Sequence, residues 1–210
     1  MADDRRNTNR YYPVYDNIEH TVNDKIREDV TVLIVEDERE LADIYAAYVP
    51  EEYAVAVVYS GEEAIEVLSD EFDIVLLDRR MPVVSGHEVL AHIDEQGLDC
   101  RVAMVTAINP DFDIIDLHID DYLVKPVTRE DLLETIDRMV QLQAYDERMR
   151  ELTSKKLKRN VLKLEKTHVE LARTDEFQRL NEEIETIEAE LEDIADDLDS
   201  VDAESRSRSH

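Results

Sequence analysis

The sequence holds one cysteine, Cys100, which excludes an intrachain disulfide and a thiolate-based zinc cluster; the residue reads as a small buried thiol. No apolar run approaches the ~18 residues that a spanning helix needs. The first ten residues, MADDRRNTNR, contain no hydrophobic stretch of the kind a secretory leader carries. Membrane insertion and export are therefore not expected, and the cytoplasm is the default location. Positive charge is scarce too: 24 Lys and Arg stand against 53 Asp and Glu, a net charge of −29. Lysine supplies only 7 of those 24 cations. A surface this acidic repels phosphate backbones at ordinary salt. At molar salt the Debye length falls to roughly 3 Å, which screens the self-repulsion and points to a halophilic, salt-loaded cytoplasm.

Residues 1–29 carry seven acids and five bases without apolar periodicity, so they read as a disordered acidic tail whose one sticky cluster is Tyr11 to Tyr15. From Val30 the pattern changes. Val30 to Val35, Tyr53 to Tyr59, Ile74 to Leu77, Arg101 to Val105 and Tyr122 to Val124 are short β-branched or aliphatic runs, the signature of buried strands. Between them lie helix-like stretches: Leu41 to Val49, the capping boxes Ser60-Gly61-Glu62-Glu63 and Ser85-Gly86-His87-Glu88, and Asp111 to Leu117. Thr128 can cap a last helix with apolar positions Leu132, Leu133, Ile136, Met139 and Val140. Alternation over residues 30–142 implies parallel pairing and a three-layer α/β/α domain.

In open sheets of this kind, sites form beyond the carboxyl ends of the strands. Those ends carry Glu36 and Asp37, Asp78, Thr106 and Lys125, which would converge on one acidic pocket. Three carboxylates in one cleft call for a proton or a hard cation, and Mg²⁺ suits all-oxygen ligands. An aspartate can attack phosphorus, a lysine can neutralise phosphoryl oxygens, and a threonine hydroxyl can donate to one.

The joint pattern is an acidic pair after the first strand, Asp78-x-x-Met81-Pro82 after the third, Thr106-Ala107 after the fourth, and Tyr122-x-x-Lys125-Pro126 at the fifth. With it the chain resembles the response-regulator receiver family. The resemblance implies a five-stranded flavodoxin-like domain phosphorylated by a sensor histidine kinase, with Asp78 as phosphoacceptor and Glu36, Asp37 and Asp78 holding Mg²⁺. It adds the main-chain carbonyl of Arg80 as a further metal ligand, Thr106 and Tyr122 as a switch pair, and Lys125 as the phosphate-contacting lysine. On phosphorylation the face made by the helix before the fifth strand, that strand and the helix after it would be remodelled. Two departures stand out. Arg79 and Arg80 follow the aspartate, where a guanidinium bears on access to the phosphoryl group, and Ile119-Asp120 replaces the common Gly-Ala before the last strand.

Residues 143–203 read as an all-α two-helix extension, with 204–210 a disordered tail. Tyr145, Met149 and Leu152 are spaced four and three; the register then slips, and Leu157, Val161, Leu164, His168 and Leu171 resume it. Arg148 to Arg173 holds nine Lys or Arg and three Glu, whereas Asp175 to Glu204 holds fourteen acids and one base. Thr174 looks like a fresh helix start, and Phe177, Leu180, Ile184, Ile187, Leu191, Ile194, Leu198 and Val201 form a heptad seam. This extension is similar to the HalX domain that follows receivers in haloarchaeal regulators. Two packings are open: a basic-against-acidic hairpin, or a coiled coil between chains, with a homodimer expected through a hairpin. The leading function is a response regulator, not an enzyme, whose extension regulates transcription; the alternative is a phosphorylation-switched protein-interaction module. DNA as a partner rests only on the basic run Lys155 to Arg159, since no helix-turn-helix or finger pattern is present. A metal-dependent phosphatase is disfavoured because no further acid or base is placed to activate water.

Overall fold

A computed structural model describes residues 30–110 and 112–208. The expected tail at 1–29 lies outside the described residues. Residues up to Val140 and those from Gln141 form two compact units.

The first unit is a five-stranded parallel sheet in the order β2-β1-β3-β4-β5, built from β1 (Thr31–Val35), β2 (Ala54–Val58), β3 (Ile74–Leu77), β4 (Arg101–Thr106) and β5 (Asp121–Val124). Helices α1 (Arg39–Tyr48), α2 (Gly61–Val67) and α3 (Gly86–Gln96) connect the first four strands, and α4 (Arg129–Glu165) follows the fifth. Period-two alternation sends successive strand residues to opposite faces. Val32, Ile34, Ile74, Leu76, Ala103 and Val105 pack with Tyr45 of α1 and with Leu132, Ile136 and Met139 of α4. Leu33, Val35, Val75, Leu77, Val102 and Met104 pack on the other face with Ala64 of α2 and Val89, Leu90 and Ile93 of α3. Both faces of the inner strands are covered, which is why their sequences are continuously apolar.

The short helix expected at Asp111 to Leu117 is a 3-10 helix over Phe112–Asp116, with the Leu117 amide donating to the Ile114 carbonyl at 3.1 Å. Short connecting turns of this kind commonly take the tighter i to i+3 winding. The unusual Asp120 anchors the next turn: its carboxylate accepts from the Val102 amide at 2.8 Å and from the Arg101 guanidinium at 2.6 Å.

Cys100, at the entry to β4, is partly buried. Burial first, and then the charge of nearby Asp120, push its thiol up to about 11. The thiolate is the reactive form. Alkylation of the folded chain at mildly basic pH is therefore expected to run roughly a hundredfold slower than that of a free cysteine; labelling at the free-thiol rate would contradict this.

No glycine or proline occurs from residue 127 to the end of the chain. Accordingly α4 runs unbroken to Glu165, past the position 142 where the sequence reading ended the first domain. A short α5 (His168–Ala172) follows, opened by a reciprocal cap: the Thr167 amide donates to the Glu170 carboxylate at 2.9 Å, and the Glu170 amide donates to Thr167 Oγ1 at 3.3 Å. Helix α6 spans Asp175–Arg208 and so continues beyond the expected end at 203, because nothing after Val201 breaks a helix.

Within the second unit, residues 141–165 of α4 lie antiparallel to α6. Leu152, Ile184, Ile187 and Leu191 bury one another, with Tyr145 and Leu180 packed against them. A ladder of ion pairs crosses the contact: Arg148 to Glu190 at 3.0 Å, Lys155 to Glu183 at 2.8 Å and Lys156 to Glu188 at 2.7 Å. Within the single chain these contacts form a hairpin. Leu180, Ile184, Ile187 and Leu191 of the α6 seam pack inside the chain.

Candidate functional site

The strand register builds the site. Val35 lies opposite Leu77, and the Asp78 amide donates to the Val35 carbonyl at 2.9 Å, which sets Glu36 and Asp78 side by side at the tips of two central strands. One strand over, Thr106 ends β4, and its carbonyl accepts from the Lys125 amide at 2.8 Å. Glycine is required next to this row. A Cβ on Gly86 would sit 2.3 Å from the Asp78 carbonyl oxygen, so only glycine lets the start of α3 approach that closely.

The side chains meet around one ammonium. Lys125 Nζ donates to Glu36 Oε2 at 2.6 Å and to Asp78 Oδ1 at 2.8 Å. The second oxygen of Asp78 accepts from the Arg80 amide at 2.8 Å, while Glu36 Oε1 accepts from the Glu38 amide at 3.4 Å. Glu36 and Asp78 are only 2% and 5% exposed, and Thr106 is buried beside them. Carboxylate oxygens of Glu36, Asp37 and Asp78 lie within 4.8 Å of one another. Burial raises the Glu36 carboxyl above the ordinary carboxylate range, with the Asp78 charge adding and Lys125 opposing. For Lys125, burial works against the charged form, but its hydrogen bonds to Asp78 and Glu36 outweigh it and hold the amine protonated above the usual lysine range.

Such a pocket suits a hard divalent cation. Its donors are all oxygens, they are close enough to share one ion, and they carry more negative charge than one lysine neutralises. The arrangement pairs a shielded aspartate oxygen with a cation on one side and an oxygen cradle on the other, which is what an attack on a phosphoryl group requires.

Tyr122, on β5, is half-buried, and its hydroxyl donates to the Ile108 carbonyl at 3.0 Å. Thr106 Oγ1 accepts from the Ile108 amide at 3.3 Å, so both residues hold the same turn after β4. The Arg79 guanidinium reaches the Tyr122 hydroxyl at 3.4 Å, tying the segment after Asp78 to that turn. The sequence marked Arg79 as unusual but did not indicate where its side chain goes. Tyr45 was missed altogether. It is a buried residue of α1 whose hydroxyl has no hydrogen-bond partner among the described residues; burial, with the charges of Lys125, Glu36 and Asp78 nearby, pushes it up to about 12. Its signal was an aromatic on the apolar face of a helix that begins just after the acidic pair.

Two family descriptions match the chain: "Response regulator receiver domain" over residues 32–137 and "HalX domain" over residues 141–207. A candidate transcriptional regulator of Haloferax volcanii is 47% identical over 121 residues, covering 57% of this chain and 21% of that protein. The response regulator SaeR of Staphylococcus aureus is 36% identical over 113 residues, covering 52% of this chain and 50% of SaeR. The chain thus spans half or less of the length of these curated relatives. Among solved structures, the signal receiver domain of a candidate LuxO repressor from Vibrio parahaemolyticus superposes with a TM-score of 0.52 at 27% identity, covering 56% of this chain and 95% of that one. The receiver domain of AraT, a response regulator from Geobacillus stearothermophilus, gives 0.52 at 24% identity, covering 57% of this chain and 98% of that one, a likeness of fold.

Proposed function

This chain belongs to the response-regulator receiver family and carries a HalX domain after its receiver; from that premise we propose that Asp78 accepts a phosphoryl group from a sensor histidine kinase. Receivers are phosphoacceptors rather than enzymes, and the chain is a two-component response regulator. The observation that carries the reading is the contact of Lys125 with both Glu36 and Asp78 at 2.6 and 2.8 Å, inside a cluster of three carboxylates. Glu36, Asp37, Asp78 and the Arg80 carbonyl would hold Mg²⁺, which when bound neutralises charge on the transferring group. Lys125 would then move from bridging two carboxylates to contacting the phosphoryl oxygens. Adding roughly 1.5 to 2 negative charges at Asp78 would draw the Thr106 hydroxyl and, through the turn at Ile108, release Tyr122. The extension is the output element. Transcriptional regulation is its leading role, and a cytoplasm of high salt its setting; among the described residues no helix is long and apolar enough to cross a membrane.

One observation favours output through protein contacts rather than through DNA. Lys155 and Lys156, which open the sole basic run, are already paired with Glu183 and Glu188. Incubating the chain with acetyl phosphate and Mg²⁺ in high salt tests the proposal: one phosphoryl adduct by mass is expected, and no adduct, or one that forms equally well in EDTA, would defeat it.

Arg79 gives a second test. Its guanidinium is drawn to Tyr122 beside the mouth of the pocket, so Arg79→Ala opens the approach of water. Losing a hydrogen bond of about 1 kcal/mol corresponds to an adduct lifetime roughly fivefold shorter, with uptake unchanged. An unaltered lifetime would remove Arg79 from the switch.

A further inference from the structure

The two ends of Tyr122 are held by different parts of the fold. Its hydroxyl donates to the Ile108 carbonyl, in the turn after β4. Its main-chain amide donates to Asp121 Oδ1 at 2.8 Å, and the other oxygen of that carboxylate binds α4. Asp121 Oδ2 accepts from Thr135 Oγ1 at 2.7 Å and pairs with the Arg138 guanidinium. Thr135 and Arg138 stand three residues apart on α4 and so share a face of the helix. Thr135 is only 1% exposed, and a hydroxyl buried that deeply needs its acceptor. One carboxylate thus joins the main chain of the expected switch residue to the helix that follows β5.

We propose that Asp121 is a positioning residue that locks Tyr122 to α4 through Thr135 and Arg138, so that the strand of the switch tyrosine and the helix move together. Stability alone does not account for the arrangement. A shielded ion pair adds little net stability, because desolvation offsets the attraction, and well-packed apolar residues hold two elements together as firmly. What the carboxylate adds is direction, since hydrogen bonds fix an angle as well as a distance. The helix it grips contains no glycine or proline and runs unbroken from Arg129 to Glu165, into the extension. A displacement imposed at Thr135 and Arg138 therefore meets none of the usual causes of a kink. When phosphate at Asp78 frees the Tyr122 hydroxyl, the amide of the same residue passes the shift through Asp121 to α4. By reciprocity, a change imposed on α4 alters how readily Tyr122 moves. The joint exists without phosphate; only its use in switching rests on Asp78 being the acceptor.

Amide hydrogen exchange, followed by NMR on the full chain in molar KCl, tests it in two arms. Without phosphate, Thr135→Val, which keeps the side chain's shape and drops its hydroxyl, is expected to speed exchange of the Tyr122 amide roughly tenfold. Arg138→Gln should do the same, although both positions lie on another element. The amides of Leu33 and Leu76 in the central strands report general loss of stability and should not change. An unaltered Tyr122 amide, or an equal rise at Leu33 and Leu76, overturns the proposal. In the second arm, excess acetyl phosphate and Mg²⁺ should change exchange at the α4 amides of residues 129–140 roughly fivefold in the parent chain. That ratio should vanish in Asp121→Asn, with phosphoryl uptake by mass unchanged. A carboxylate that only supported the fold would shift both states together and keep the ratio, and that result also overturns the proposal. A parent chain that takes up no phosphate defeats the assignment of Asp78 instead, and the Tyr122 amide then decides the joint by itself.

Discussion

Asp78→Asn is expected to abolish phosphoryl uptake from acetyl phosphate completely while leaving the fold intact. The amide keeps the size of the carboxylate, so the Arg80 amide retains its acceptor and the buried pocket stays filled. What disappears is the anionic oxygen, the only group at the tip of β3 able to attack phosphorus. The loss should therefore be total, unlike the graded losses expected at Thr106 or Lys125, which act on charge and geometry. An adduct of undiminished yield in Asp78→Asn would move the acceptor elsewhere and end the assignment. The matching variant Asp78→Glu keeps the charge but shifts it by one methylene in a close-packed pocket, so its uptake should also be severely reduced.

Lys125→Met should cost the first unit about 3–5 kcal/mol of stability, the usual consequence of removing one partner from a buried charge cluster. Lys125 is shared by two nearly inaccessible carboxylates, at 2.6 and 2.8 Å, and methionine fills its volume without its charge. Glu36 and Asp78 would then face each other uncompensated. Divalent cation should restore much of the loss, because the ion takes over the neutralising role. Urea melts with and without Mg²⁺ measure both effects. A variant as stable as the parent, with no response to Mg²⁺, would show that the three carboxylates do not act as one electrostatic unit.

Much of this site could be read from the amino-acid order because buried parallel strands write a simple code. Ile74 to Leu77 is uninterrupted because both faces of β3 are covered, and a carboxylate where such a run stops has few places to point except the end of the sheet. The resemblance of the joint motifs supplied the five-stranded fold, but the strand order β2-β1-β3-β4-β5 does not emerge from that code by itself. Arg79 was different. A long flexible side chain has many rotamers, and its reach to Tyr122 depends on where β5 lies, which is non-local information. The short helix near Phe112–Asp116 was legible but its tighter 3-10 winding was not, because short apolar runs leave the tighter and wider helices indistinguishable. Asp120 looked like a disruption of a small-residue turn and turned out to fasten it. The slip between Leu152 and Leu157 was visible as a break in periodicity; only coordinates reveal that the two phases belong to opposite duties, one inward and one outward.

The ladder from Arg148, Lys155 and Lys156 to the acids of α6 is solvent-accessible, and in brine accessible charges attract one another feebly. Cohesion between the paired helices must then come from the greasy seam of Leu152, Ile184, Ile187 and Leu191, whose hold strengthens as excluded salts raise the cost of wetting it. The charges keep a subtler task. They penalise every misaligned pairing in which acid would meet acid, so they choose which turn faces which, while the seam decides how firmly the choice is kept.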